Sequence, residues 1–118
     1  MTKTIICDID GTIVQYFKDT KGVIKKGHIP LPGVIEKINE WENMGHKIIL
    51  ISGRRENLRD ITEKALTNLG IPFDMLILGC ADSGRILIND QGKTCKAHAV
   101  SLFRDEGFEH FNWETVGL

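Results

Sequence analysis

Two aspartates near the N-terminus, Asp8 and Asp10, are separated by one apolar residue and followed by Gly11 and Thr12. In an extended chain, residues two apart point to the same side, so the two carboxylates are expected to lie close together. Paired carboxylates repel each other, and such a pair is stable with a cation or a shared proton. The turn that follows offers backbone N–H groups that can cradle an anion. The spacing therefore predicts a site where a metal ion and an anion meet.

Two later segments place further polar residues at the ends of apolar runs. Ser52 and Gly53 follow the run KIILI, and Asp90 follows the run RILIN. Ser52 and Gly53 offer a hydroxyl and amides at the start of a loop that leads into a helix, where anions bind. Asp90 would add a third oxygen ligand to Asp8 and Asp10, and an all-oxygen set with few protein ligands suits Mg²⁺. This combination suits attack by an aspartate on phosphorus while a second aspartate moves the proton.

Short apolar runs alternate with amphipathic segments along the chain, which predicts a parallel sheet with helices packed on it. The predicted strands cover residues 4–9, 47–51, 75–78 and 85–89, and the predicted helices cover residues 32–44, 56–69 and 96–105. The basic stretch 13–31 is expected to form a loop with a short hairpin turning at Lys21-Gly22, while the tail 108–118 stays unassigned. Ligands bind outside the carboxyl ends of such strands, so the candidate residues converge at one edge.

The segment DIDGT at residues 8–12 resembles the first motif (DxDGT) of the haloacid-dehalogenase-like (HAD) phosphatase superfamily. The segment ILISGR at 49–54 resembles the second motif, and ILIND at 86–90 resembles a variant of the acidic fourth motif. The order and spacing agree over residues 4–92. The resemblance implies a three-layer α/β/α, Rossmann-like, mostly parallel sheet in one domain over 1–118. It also implies a small capless member, with 13–31 as a short basic flap in place of a cap.

The same resemblance assigns roles to residues. Asp8 would be the nucleophile that becomes an aspartyl-phosphate, and Asp10 would be the general acid and base. Mg²⁺ would be held by Asp8, the backbone carbonyl of Asp10, and Asp90. The residues expected to bind phosphate are Gly11, Thr12, Ser52, Gly53, Arg54 and Arg85.

One departure from the family pattern concerns the lysine that normally neutralises the nucleophile and the phosphate. No lysine lies between Lys64 and Lys93. Small members often carry this lysine after the third strand, where the chain has Gly79-Cys80. Arg85 is the nearest cation, and the other candidates for the role are Arg54, Lys93 and Lys96.

We expect a Mg²⁺-dependent phosphomonoester hydrolase that acts on a small phosphorylated metabolite such as a sugar phosphate. The loop Ser52-Gly53-Arg54 and the basic flap also resemble the polynucleotide 3′-phosphatase branch, so a nucleotide end is an alternative. A third hypothesis is a catalytically weak member that binds a phosphorylated ligand or a protein, because the lysine is missing. A receiver domain fits less well, since Ser52 stands where its phospho-accepting aspartate belongs.

The composition indicates which classes of partner and which cellular location to expect. Fifteen Lys and Arg balance sixteen Asp and Glu over 118 residues, so the net charge of −1 makes no case for an anionic membrane surface. The charge does not favour nucleic acid and leaves it open. Three widely spaced cysteines without a CxxC motif fit a reducing, cytoplasmic location. An open site often borrows a neighbouring subunit as its lid, so we expect a homo-oligomer; we interpret the four histidines as incidental.

Overall fold

Three parallel strands form one sheet in the order β1-β2-β3 in the computed structural model, which describes residues 1–92 and 95–118. The strands are β1 (Thr4–Asp8), β2 (Lys47–Ile51) and β3 (Met75–Ile77). Asp8 pairs in register with Ile51, and Ile51 pairs with Ile77. The carboxyl ends of all three strands therefore lie at one edge of the sheet, as the sequence predicts.

Within residues 1–92 and 95–118, three α-helices accompany the sheet: α1 (Thr20–Lys26), α2 (Val34–Asn43) and α3 (Arg59–Asn68). Short 3-10 turns cover Glu56–Leu58 and Trp113–Val116. Helix α2 precedes β2 and α3 connects β2 to β3, so the α/β class with a parallel sheet is confirmed. None of the helices in the described residues is long and apolar enough to cross a membrane.

One face of the sheet carries the core because alternate strand residues point to the same side. The buried residues from the sheet are Ile48, Leu50 and Leu76, and those from the helices are Val34, Ile38, Trp41 and Leu66. Helices α2 and α3 thus share one core with the strands, which fixes the strand ends that carry the site. On the other face, Ile6, Met75 and Ile77 are exposed.

The tail that the sequence leaves unassigned packs against α2 through aromatic rings. The ring centroid of Trp41 lies 5.6 Å from that of Phe108 and 5.0 Å from that of Trp113. Phe108 donates its backbone N–H to the Pro32 carbonyl (2.9 Å), and Trp113 donates its Nε1–H to the Phe108 carbonyl (3.0 Å). These contacts tie the C-terminal segment to the start of α2.

The predicted fourth strand at 85–89 is not present. Residues 79–92 contain no regular element, and the side chains of Ile86 and Ile88 are each 91% exposed. A β-branched apolar run has strand propensity, but a strand also requires a neighbour that pairs its backbone and covers its side chains. The run has no such partner among the described residues, so the prediction from propensity alone was wrong.

Two other predicted elements differ from the structure. The stretch expected to turn as a hairpin at Lys21-Gly22 forms α1, because the Asp19 carboxylate caps the helix by accepting the Gly22 N–H (3.1 Å). The helix expected at 96–105 is absent from the described residues 95–105. At Asp105 the backbone is left-handed (φ 65°) and its N–H donates to the Gly11 carbonyl, a geometry that a helix does not allow.

Candidate active site

The loop after β1 turns sharply at Gly11, whose φ of 83° favours glycine. Gly11 donates its N–H to the Val14 carbonyl (2.7 Å), and Thr12 donates its N–H to the Ile9 carbonyl (3.2 Å). The two N–H groups predicted to cradle an anion are therefore engaged in closing the turn in this conformation. What the loop does achieve is to hold the preceding aspartates at the sheet edge.

Asp8 ends β1 and faces the cleft, with about a third of its side chain exposed. Its Oδ1 lies 3.3 Å from Arg85 Nη1, and its Oδ2 accepts a long hydrogen bond from the Thr12 hydroxyl (3.4 Å). Arg85 comes from the irregular segment 79–92, and its side chain is itself partly exposed. The guanidinium of Arg85 thus stands beside the candidate nucleophile, where the family pattern would place a lysine.

Asp10 is held by Arg54 in a bidentate ion pair. Arg54 donates from Nε to Asp10 Oδ2 (3.0 Å) and from Nη2 to Asp10 Oδ1 (2.7 Å). The Nη1 group of Arg54 donates to Thr62 Oγ1 (2.9 Å) and to His28 Nε2 (2.8 Å). The side chain of Arg54 is only 9% exposed, compared with 26% for Asp10. Arg54 was expected to bind phosphate, and in this structure its guanidinium is paired with Asp10.

His28, interpreted from the sequence as incidental, is part of this cluster. Because arginine only donates, the Nε2 atom of His28 must be unprotonated to accept from Arg54. Burial lowers the pKa of His28 below its ordinary value, and the positive charge of Arg54 lowers it further, while the Asp10 charge opposes them. His28 therefore serves as a neutral acceptor that fixes the third side of the Arg54 guanidinium.

The loop after β2 packs tightly against the loop after β3. Ser52 is buried, and its Oγ accepts the Arg54 N–H (3.0 Å). Its carbonyl accepts the Cys80 N–H (3.0 Å). A Cβ at Gly53 would collide with the Asp82 carboxylate, so a larger residue there would require the Asp82 side chain to move. Ser52 and Gly53 thus lie at the predicted edge, and Asp82 joins them from the neighbouring loop.

These residues line a cleft of about 930 Å³ at the carboxyl edge of the sheet. Its polar side carries Asp8, Asp10 and Ser52. Its apolar side is formed by Phe17, Val23 and Ile24 from α1 and the segment before it, and by Leu58 and Ile61 from α3 and the turn before it. The N-terminal part of the predicted flap therefore borders the candidate site.

Asp90, the predicted third metal ligand, does not line the cleft. The neighbouring Asn89 donates its side-chain N–H to the carbonyls of Asp90 and Cys95 (3.1 Å each). Among the described residues, no group of three His, Cys, Asp or Glu side chains is close enough to hold a metal ion. Lys93, one candidate for the missing cation, lies outside the described residues.

The sequence did not point to the contribution of the segment before the aromatic tail. Arg104 lines the cleft, and its guanidinium carbon lies 3.9 Å from the centroid of the Tyr16 ring. Asp105 bonds to the loop after β1 from the far end of the chain. No local spacing or periodicity marks a contact between residues 89 positions apart. Only the tertiary structure brings these side chains to the site.

The parallel sheet with Asp8 and Asp10 at its carboxyl edge agrees with the resemblance to the HAD superfamily. The family model of the polynucleotide kinase PNKP phosphatase domain matches residues 2–78, and the chain belongs to this family. The comparison with curated proteins gives no match.

Several solved structures are similar to the chain. The Pnkp1/Rnl/Hen1 RNA repair complex contains a chain 28% identical, with a TM-score of 0.58 over 71% of this chain. D,D-heptose 1,7-bisphosphate phosphatase from B. bronchiseptica, complexed with magnesium and phosphate, is 21% identical, with a TM-score of 0.50 over 71% of this chain and 54% of its own. A target protein from Vibrio cholerae is 22% identical, with a TM-score of 0.54 over 75% and 80% of the two chains. The chain spans only 28% of the length of the RNA repair chain that it matches.

Proposed function

We propose that the chain is a Mg²⁺-dependent phosphomonoester hydrolase in which Asp8 is the nucleophile and Asp10 is the general acid and base. The observation that carries the proposal is that the two carboxylates have different surroundings. Asp8 opens onto the cleft beside Arg85, while Asp10 is fixed from behind by the buried Arg54. A nucleophile needs access to phosphorus, and a proton-transfer group needs a fixed orientation.

In the first step, an Asp8 oxygen attacks phosphorus and the bond from phosphorus to the leaving oxygen breaks. The leaving oxygen takes a proton from the Asp10 carboxyl group, so the alcohol departs neutral. The Arg54 pair uses one lone-pair position on each Asp10 oxygen, and the others stay available for the proton. Arg85 stabilises the negative charge that builds up on the phosphoryl oxygens near Asp8.

In the second step, water attacks the phosphorus of the aspartyl-phosphate and Asp10, now a carboxylate, takes the proton from that water. The bond between phosphorus and the Asp8 oxygen breaks, which releases phosphate and restores Asp8. The Ser52 hydroxyl lies on the polar side of the cleft, where its O–H can donate to a phosphoryl oxygen. Each step then returns the two aspartates to the state that the next one requires.

The residues present fit Mg²⁺. This ion is commonly held by one or two protein carboxylates, with water and a substrate phosphate completing its shell. Asp8 lines the cleft with about a third of its side chain exposed, and Asp10, which lines the same cleft, would contribute its backbone carbonyl. When bound, Mg²⁺ would neutralise charge on the transferred phosphoryl group. Asp90 stays a predicted third ligand. If an Asp90→Asn variant requires the same Mg²⁺ concentration as the wild type, this prediction is wrong.

For the substrate, the family match favours a phosphorylated polynucleotide end over the small sugar phosphate expected from the sequence. The cleft supports either, because it is wide and has an apolar side formed by residues of α1 and α3. A direct comparison of kcat/KM for a 3′-phosphorylated oligonucleotide and a panel of sugar phosphates tests the choice. A higher kcat/KM for any sugar phosphate would instead favour the small sugar phosphate expected from the sequence.

The decisive experiment uses p-nitrophenyl phosphate with and without Mg²⁺. We expect turnover that EDTA abolishes, and a loss of at least about 1,000-fold in kcat for Asp8→Asn, since an amide cannot form the acyl phosphate. Asp60→Asn is the matched control because Asp60 is an exposed aspartate at the start of α3, outside the cleft. Turnover by Asp8→Asn at the wild-type rate would exclude an aspartyl nucleophile.

A further inference from the structure

The cleft contains an arginine that the proposed reaction does not use. Arg104 lines it, and no carboxylate among the described residues pairs with its guanidinium. Two other arginines of the cleft are already engaged, Arg54 with Asp10 and Arg85 with Asp8. An unpaired cation in a cleft that receives an anion is available to that anion.

The Arg104 side chain is held in place by the Tyr16 ring. The guanidinium carbon lies 3.9 Å from the ring centroid, which is the stacking distance of a cation on an aromatic face. A stacked guanidinium keeps its edge N–H groups directed outward, where they can meet two oxygens of one anion. Lys18 and Arg55 also line the cleft, but no contact within the described ranges fixes their charged ends.

The backbone next to Arg104 is also fixed to the loop after β1. Asp105 donates its N–H to the Gly11 carbonyl (2.9 Å), and its Oδ1 accepts the Tyr16 N–H (2.8 Å). Among the described residues, Asp105 is the only non-glycine residue with a positive φ (65°). Such a conformation costs free energy and is retained where the surroundings impose it, often at functional sites. The strained residue thus clamps Arg104 at the site.

Arg104 lies directly over the turn that follows Asp10. A Cβ at Gly11 would be 3.0 Å from Arg104 Cγ, so the stem of the arginine fills the space that Gly11 leaves open. From this position the guanidinium shares the cleft with Asp8 and Asp10. A substrate that occupies this cleft would therefore lie in the same space as the guanidinium.

We propose that Arg104, stacked on Tyr16 and clamped by Asp105, is a substrate-binding residue that donates hydrogen bonds to the phosphoryl oxygens of the substrate. The proposal rests on the proposed function only for the location of the phosphoryl group. It gives the C-terminal part of the chain, which lies outside the matched residues 2–78, a part in the site. A bidentate, charge-assisted contact of this kind contributes to ground-state binding, so its loss is expected in KM more than in kcat.

The test measures binding of inorganic phosphate by calorimetry in the presence of Mg²⁺, which does not depend on turnover. We expect Arg104→Gln to raise the dissociation constant about tenfold or more, the scale of one charged hydrogen-bond contact. Lys47→Gln is the control, because it removes one exposed positive charge at the opposite end of β2. It should leave the phosphate affinity at the wild-type value.

Tyr16→Ala provides a second, independent variant. It removes the ring that holds the guanidinium and leaves every charge in place, so the dissociation constant should rise several-fold, while Tyr16→Phe should restore it. With p-nitrophenyl phosphate, Arg104→Gln should raise KM and leave kcat within about twofold of wild type.

The outcomes separate the inference from the proposed function. If neither the wild type nor any variant hydrolyses phosphate esters but Arg104→Gln still weakens phosphate binding, the proposed function fails and the binding role of Arg104 stands. If the wild type does not bind phosphate, or binds it no better than Arg104→Gln and Tyr16→Ala, the inference is overturned.

Discussion

Replacing Arg54 with methionine should test the most densely bonded side chain of the site. Methionine keeps much of the aliphatic stem and removes the guanidinium, which makes four hydrogen bonds to three residues. The change leaves the Asp10 carboxylate without its cation and the fully buried Thr62 hydroxyl without that donor. Both the stability of the fold and the orientation of Asp10 depend on the same group.

The expected loss of stability follows from these contacts. A hydrogen bond to a charged group contributes about 1.5–3 kcal/mol, and a neutral one about 1 kcal/mol. Asp10 is partly exposed, so water replaces some of what it loses, and the bond to His28 is also recoverable by water. We expect a total of about 3 kcal/mol, which corresponds to a fall in Tm of about 15 °C for a chain of this size.

The assay is thermal unfolding followed by circular dichroism, with Arg55→Met as the matched control. Arg55 is the adjacent residue and is exposed, so its replacement should change stability by no more than about 0.5 kcal/mol. Arg54→Lys should recover part of the stability but not the wild-type kcat, because lysine cannot hold both oxygens of Asp10 in one plane. Equal melting temperatures for Arg54→Met and Arg55→Met would refute the reasoning.

Three further predictions concern other parts of the chain. Because the folded state holds the pKa of His28 below 6.5, the unfolded chain takes up a proton that the folded chain does not. The free energy of unfolding should therefore fall as the pH drops below about 6.5 and level off below the pKa of His28 in the folded chain. Urea unfolding at a series of pH values should show this decrease in the wild type. The same decrease in His28→Gln would contradict the assignment to His28. Burial raises the pKa of Cys7 to about 12, so iodoacetamide at pH 8 should label the exposed Cys95 first; equal rates by mass spectrometry would oppose this. Trp41→Ala should lower the free energy of unfolding by about 3–5 kcal/mol in urea, because the ring is buried among aromatic side chains. Phe103→Ala, which removes an exposed ring, should lower it by less than about 0.5 kcal/mol. Similar losses for the two variants would argue against a shared aromatic core.

The sequence predicts the elements whose signals are local. The strands ending at Asp8 and Ile51 have dense apolar runs bounded by turn residues, and α2 shows its buried face through the spacing of Val34, Ile38 and Trp41. Since parallel strands end at a common edge, the approach of Ser52 to Asp8 follows from those same signals.

The unpredicted parts depend on contacts between distant residues. The run at 85–89 has the composition of a strand, but composition does not say whether a partner covers it, and Ile86 is exposed. The bond from Arg54 to His28 and the clamp at Asp105 join loops with no shared periodicity. Such contacts depend on how the elements pack, which no window of the sequence contains.

The clamp at Asp105 also has a consequence for the time course of folding. The hydrogen bond between Tyr16 and Asp105 joins residues 89 positions apart, and Phe108 bonds to Pro32 across a similar stretch. Contacts of this range close late, because loop-closure entropy must be overcome before they form. During synthesis, the carboxylates near the N-terminus emerge from the ribosome long before the segment that completes their cleft. The nascent chain therefore carries an unfinished site and an uncovered Trp41 until residues 104–113 have been made.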